Sequence, residues 1–278
     1  MATLIWQAQI MKYMTFNSSC SYAGVANMLE QFGIDTTDRE IALQMGLPYL
    51  FSFDNGVYLS GPMLQSADWF NLYLNPIGFS LTETPVEKEN LDAFLKNTTA
   101  AMLGIMVDED EKHAVVYIGR NGDQLLFVNN KWADDPSAEK INLTIDDLKN
   151  RIDDVVMVAT LEKINPAKVN IRERLKNSVG YAKANCLDII KLSQTETFVS
   201  DLRAKLNILF RPFFLDGITM ANLIGETKLA EDLTLLQGEL LSALRQQADK
   251  KIFLKDYISL EILEKSVKKY VQLIEEKI

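Results

Sequence analysis

The clearest periodic pattern of apolar residues lies between positions 17 and 33. Apolar side chains recur there at intervals of three and four residues, which predicts a helix with one buried stripe. The stripe consists of Val25, Met28, Leu29 and Phe32. The polar residues 17–19 can cap the free N–H groups of a helix start, and Gly33 follows where a helix commonly ends. The pattern therefore predicts a helix that carries Cys20 in its first turn.

A different pattern, typical of strands, extends from residue 79 to residue 161. Apolar residues alternate with polar ones or form short continuous runs. The predicted strands are 79–84, 101–107, 113–119, 125–128 and 155–161, and the predicted helices of the same half are 39–45, 60–74, 88–96 and 145–152. Asn121-Gly122 predicts a hairpin turn in this region, and Asn55-Gly56 predicts another before it. We expect an antiparallel sheet accompanied by short helices.

The pattern changes at Asn165-Pro166. Beyond it we find no strand pattern, only long amphipathic segments at 171–192, 196–209, 220–248 and 257–278. The predicted fold class is α+β, with a sheet domain over residues 1–164 and an all-α domain over residues 165–278. The helical part is expected to be a packed bundle or an oligomerisation surface, so a homo-oligomer is one expected assembly.

Composition narrows the classes of function. The 278 residues are 47% hydrophobic and 24% charged, as in a soluble globular protein. The net charge of −9 argues against a nucleic-acid partner, because little would neutralise phosphates. No apolar run approaches membrane-spanning length and the start lacks a signal-peptide pattern, so no membrane contact is expected. Two cysteines without a Cys/His cluster predict no metal, no cofactor and a reduced, cytoplasmic compartment.

The candidate chemistry rests on Cys20 and on the one histidine of the chain, His113. A thiol at a helix start loses its proton more easily, and a thiolate is the nucleophile that acyl transfer needs. A lone cysteine is also commonly a small buried residue, which is how we interpret Cys186. His113 begins a predicted strand, and the following hairpin brings Asn129 and Asn130 back toward it. One of these two amides is expected beside the imidazole.

In this order and context, Cys20, His113 and the Asn129-Asn130 pair resemble papain-like cysteine acyl-transfer enzymes. Residues 20–33, CSYAGVANMLEQFG, look like the active-site helix of the double-glycine leader peptidases. A closer resemblance is to the butirosin biosynthesis protein H family, in which a papain-like domain precedes a mostly helical one. That resemblance implies transfer of an acyl group from a carrier-protein thioester to the cysteine and then to an amine.

The resemblance also assigns roles to residues. Cys20 would attack the acyl carbonyl, His113 would act as base and then acid, and Asn130 would orient His113, where leader peptidases have aspartate. Leader peptidases carry an oxyanion glutamine six residues before the cysteine, and that position is Met14 here. The candidates to replace it are the Cys20 N–H together with Asn17, or else Gln7 or Gln9.

The predicted function is therefore transfer or hydrolysis of an acyl group through a Cys20 thioester, and two alternatives to it stay open. A cysteine peptidase would use the same residues on a peptide donor and needs an open groove. A non-catalytic binding or scaffolding protein would have Cys20 and His113 far apart or blocked. The positions of these two side chains therefore distinguish an enzyme from a binding protein.

Overall fold

The computed structural model describes residues 11–107, 112–135 and 140–278. Gln7 and Gln9, two of the oxyanion candidates, lie outside the described residues. The chain divides into two compact units. The first contains the described residues of 11–45 and 65–169, and the second contains 46–64 and 170–278. The predicted domain boundary near residue 164 lies close to the third change of unit, after residue 169, but residues 46–64 belong to the second unit rather than the first.

The helices and strands are numbered through the whole chain. The α-helices are α1 Cys20–Glu30, α2 Asp38–Gln44, α3 Ala67–Leu74, α4 Leu91–Lys96, α5 Ile145–Lys149, α6 Arg172–Ser193, α7 Val199–Ala204, α8 Ile218–Leu223, α9 Thr227–Leu244 and α10 Leu260–Glu275. The strands are β1 Phe51–Asp54, β2 Val57–Ser60, β3 Phe79–Glu87, β4 Ala101–Met106, β5 Lys112–Asn121, β6 Gln124–Asn129, β7 Lys140–Leu143, β8 Val155–Lys163, β9 Glu196–Phe198 and β10 Lys251–Phe253.

The first unit contains a sheet in the order β3-β8-β4-β5-β6-β7, and every neighbouring pair is antiparallel. The predicted antiparallel sheet is confirmed, with a short strand, β7, that the sequence pattern did not indicate. The predicted turn at Asn121-Gly122 joins β5 and β6. Helix α3 begins at Ala67 rather than near Ser60, because Gly61 adopts a left-handed conformation with φ +49° and a single tight turn follows it.

The two faces of this sheet are covered differently. On one face, Leu103, Val115 and Phe127 belong to an apolar cluster that also contains residues of α4 and α5. Because side chains alternate along a strand, their neighbours Met102 and Ala114 lie on the other face. Helix α1 packs against β4 and β5 on that second face. Its Gly24 makes the close approach possible, since a Cβ there would overlap the Met102 sulfur.

The second unit is mostly helical but contains two small antiparallel sheets. Strands β1 and β2 form a hairpin around the predicted Asn55-Gly56 turn, in which both residues have positive φ, and this prediction is confirmed. Strands β9 and β10 pair over three residues. The prediction of an all-α second domain was therefore wrong in detail. Three-residue strands paired across about fifty positions leave no periodic signal in the sequence.

One long helical stretch of the second unit is wider than an α-helix. Residues Leu206–Phe210 and Pro212–Gly217 form π-helical turns. The predicted segment 196–209 ends just before Arg211-Pro212, which marks a break in the sequence because proline lacks an N–H and its ring clashes with the preceding turn. Here the helix widens instead of ending, and it continues into α8. Wide turns of this kind are frequently found at functional sites.

Candidate functional site

Cys20 is the first residue of α1 and is half-buried. The N-cap residue is Ser19, whose side chain makes no capping hydrogen bond. Its hydroxyl lies 2.6 Å from Asp38 Oδ2 and 2.8 Å from the Phe16 carbonyl oxygen instead. Of the three predicted capping residues, Ser19 therefore occupies the N-cap position without capping the helix through its side chain.

The turn that leads to Cys20 is held by a buried carboxylate that the sequence analysis missed. Asp38 is fully buried and accepts hydrogen bonds from the N–H and the hydroxyl of Thr15, both at 2.7 Å, and from Ser19. Ser18, between these anchors, adopts φ +58°, a left-handed conformation that is uncommon for a residue other than glycine. Asp38 therefore fixes the position from which Cys20 begins the helix.

The position of Asp38 is predictable from the sequence, but its hydrogen-bond partners are not. Thr37 and Glu40 form a reciprocal capping box at the start of α2, which makes Asp38 the first residue of that helix. An aspartate in the first turn of a helix is ordinarily explained by the helix dipole. Nothing in the pattern indicates that this one is buried against a turn about twenty residues earlier.

Asn130 links α1 to the end of β6. Its Oδ1 accepts a hydrogen bond of 2.8 Å from Asn27 Nδ2, and its Nδ2 donates one of 3.0 Å to the Ala114 carbonyl oxygen. Asn27 also exchanges hydrogen bonds of 2.9 Å with the backbone of Lys12. Just before this helix, the Met14 N–H donates to the Lys131 carbonyl oxygen at 3.0 Å. The side chain of Asn130 thus holds the helix of Cys20 against the sheet.

His113 lies on the opposite face of the sheet from α1. It pairs with Ile105 in β4, and Ile105 belongs to the apolar cluster on the face covered by α4 and α5. The next residue, Ala114, pairs with Gly104 on the α1 face, where the Lys112 side chain also lies against Gly104. His113 is 8% exposed. The alternation of β5 therefore does not direct His113 toward Cys20.

The same register separates the two candidate amides. Asn129 pairs with Val115 and shares the face of His113, whereas Asn130 follows it and reaches α1. The strand geometry therefore does not place Asn130 beside His113, as was predicted. Asn129 is the amide that lies on the same face of the sheet as His113. Asn17, the oxyanion candidate within the described residues, is exposed in the turn before α1.

A cleft of about 210 Å³ lies on the α1 face next to the start of the helix. Its polar lining residues are Ser21, Gln65 and Glu83, and the Ser21 hydroxyl donates a 2.9 Å hydrogen bond to Gln65 Oε1. The remaining lining residues are Met102, Leu103, Gly104, Ala114, Met157 and Ala159. The cleft thus has an apolar floor with a hydroxyl, an amide and a carboxylate at its edge.

Neither a metal centre nor a membrane span is evident in the described residues. No group of three or more His, Cys, Asp or Glu side chains within residues 11–107, 112–135 and 140–278 could hold a metal ion. Among the helices of those residues, none combines the length and the apolar character needed to cross a membrane. Cys20 and Cys186 are both free thiols.

Comparison with known proteins gives distant structural similarities. No family model matches the chain, and no curated protein matches it. The peptidase domain of Streptococcus ComA, a bifunctional ABC transporter involved in quorum sensing, is 11% identical with a TM-score of 0.38. The match covers 55% of this chain and 98% of that one. A periplasmic domain of the EpsAB fusion protein of the Vibrio vulnificus type II secretion system is 9% identical with a TM-score of 0.29, over 57% of this chain and 50% of that one.

Similarities of this degree establish neither a shared fold nor a shared function. Membership of the butirosin biosynthesis protein H family therefore stays a prediction from the sequence.

Proposed function

We propose that this protein is a binding protein that uses the α1 face of its sheet, rather than an enzyme with a Cys20–His113 catalytic pair. The observation that carries the proposal is the register of β5, which directs His113 to the face opposite α1. A cysteine nucleophile needs a base within hydrogen-bond reach. A histidine whose side chain lies across the sheet does not meet that requirement.

The cleft beside the start of α1 is the proposed binding site. Its floor contains Met102 and Ala159, which suit an apolar group. Glu83 at the edge favours a ligand with a donor or a positive charge, and Gln65 adds an amide whose oxygen is already bonded to Ser21. The proposed ligand class is therefore a small molecule or peptide segment with an apolar body and an amine or amide group.

A second candidate, thiol chemistry at Cys20, is favoured by one specific observation. The thiol is half-buried in the first turn of a helix whose N-cap side chain, Ser19, does not bond to the helix N–H groups, which favours main-chain N–H groups as donors to an oxyanion. In this alternative Cys20 would accept an acyl group from a carrier-protein thioester or a peptide, as in an acyltransferase or a peptidase. It requires a base other than His113, or a different position of His113.

Alkylation by iodoacetamide separates the two functions. We would measure the labelling rate of Cys20 at pH 6 and pH 8 by mass spectrometry, in the wild type and in His113→Ala, with Cys186→Ser as background. The binding proposal predicts slow labelling at pH 6 and the same pH dependence in both proteins. Rapid labelling at pH 6 that His113→Ala abolishes would overturn it and support thiol catalysis.

A thioester supplies the second readout. Incubation with an acyl thioester followed by intact mass measurement should leave the wild type unmodified if Cys20 is not a nucleophile. An acyl adduct on the wild type that Cys20→Ser lacks would support the enzyme instead.

A further inference from the structure

The second unit has a groove between α6 and α10, whose floor residues Cys186, Val267 and Val271 are only 5–6% exposed. The groove has a volume of about 690 Å³, and Cys186, Ile190, Val267 and Val271 form its apolar lining. Leu187 projects at the edge and is 64% exposed. Burial raises the pKa of the Cys186 thiol to about 11, with a contribution from Glu264, so this part of the lining is uncharged at neutral pH. An apolar hollow beside an exposed leucine is typical of a surface that contacts another protein.

The charges around the groove are of both signs. Lys183 Nζ lies 3.6 Å from Glu275 Oε1, and both side chains are more than half exposed. Lys268 and Glu264 line the groove elsewhere along α10. Two lysines and two glutamates therefore surround one apolar hollow. A partner segment of a single charge sign would face like charges at half of these positions, which is unfavourable.

We propose that this groove binds the same groove of a second copy of the chain. A two-fold interface is formed by one surface patch contacting itself, so it has to be self-complementary. Charges of both signs allow each lysine to face a glutamate of the other copy. The exposed Leu187 of each copy fills the hollow formed by Ile190, Val267 and Val271 of the other. The inference is independent of the function proposed for the first unit.

Sedimentation of the full chain over a range of concentrations tests the proposal. We expect a reversible monomer–dimer equilibrium for the wild type. Leu187→Glu should raise the dimer dissociation constant at least about tenfold, as expected for loss of a central contact. The matched control is Leu235→Glu on α9, since Leu235 is 50% exposed and outside the groove. It should leave the dissociation constant unchanged.

Charge reversal supplies a second test, with the free energy of unfolding of each variant measured alongside, because Glu264 and Lys268 are four residues apart on α10 and also interact within one chain. Lys268→Glu should weaken the dimer, and Lys268→Glu combined with Glu264→Lys should restore it. A wild type that stays monomeric at all concentrations would overturn the proposal. So would a dimer that Leu187→Glu does not weaken, or one that Leu235→Glu weakens equally.

Discussion

The two units each bury an aspartate, and they satisfy it in different ways. Asp38 in the first unit is fully buried and accepts hydrogen bonds from Thr15 and Ser19 on both of its oxygens. Asp216 in the second unit is 1% exposed and contacts Arg211 through Oδ2 at 3.1 Å. Its other oxygen, Oδ1, has no hydrogen-bond partner among the described residues.

The two carboxylates also differ in their effect on the surrounding structure. Asp38 determines the conformation of the turn before Cys20 through neutral donors. Asp216 lies in a π-helical turn, where burial raises its pKa to about 6 although Arg211 acts in the opposite direction. A buried carboxylate with a full set of donors stabilises a fold, whereas one that is only half satisfied costs free energy when ionised.

The largest change in the free energy of unfolding is expected for Asp38→Ala. Removing the carboxylate leaves the Thr15 N–H and hydroxyl without their acceptor and takes away one of the two acceptors of the Ser19 hydroxyl, which should lower the free energy of unfolding by about 3 kcal/mol. Urea unfolding measures this loss. Asp35→Ala is the control, because Asp35 is an exposed carboxylate in the same region, paired with Lys12. Equal losses in the two variants would contradict the role given to Asp38.

A smaller change in the free energy of unfolding, of opposite sign, is expected for Asp216→Asn. Because its folded pKa is raised above the ordinary 3.8 to about 6, the native state retains this proton more strongly than the unfolded chain. The protonated carboxyl therefore contributes its full share to the free energy of unfolding below about pH 4. This contribution falls by roughly 2–3 kcal/mol as the pH rises to 6. The difference in unfolding free energy between Asp216→Asn and wild type should grow in favour of the variant over that interval. A difference independent of pH would show that Asp216 does not titrate there.

The smallest effect is expected at Gly24, where α1 meets the sheet. A Cβ would overlap the Met102 sulfur and lie 3.0 Å from Asn130 Nδ2, so Gly24→Ala should cost about 1 kcal/mol despite its better helix propensity. The control is Gly180→Ala in α6, where a Cβ meets open space and the change should stabilise the protein. If Gly24→Ala stabilised as much as Gly180→Ala, α1 would not be closely packed on β4.

The sequence predicted the elements of the first unit better than the geometry of its site. The stripe of Val25, Met28 and Leu29 and the continuous run 101–107 are local patterns, and both correspond to observed elements. Which face of the sheet His113 occupies is not local, because it depends on the register that pairs His113 with Ile105. A shift of one residue in that register would reverse the face.

The missed features have the same physical origin. Ser19 is an ordinary capping residue, but the buried Asp38 competes for its hydroxyl. Strands β9 and β10 exist because each supplies the other with backbone partners, which neither sequence indicates alone. The widening at Pro212 replaces the expected break, because the surrounding residues continue the helix. In each case a distant contact outweighs a local preference.

The inclusion of residues 46–64 in the second unit has a consequence for how the chain is made and cut. During synthesis, the strands of the sheet are complete by residue 163, while the β1–β2 hairpin still lacks its core. The Phe51 ring of that hairpin packs against the rings of Phe213 and Tyr270, which are synthesised much later. More than a hundred further residues must therefore be synthesised before the hairpin can pack against its aromatic partners. A chain truncated after residue 163 would contain the strands of the sheet and the β1–β2 hairpin. That hairpin would then lack the partners that bury Phe51.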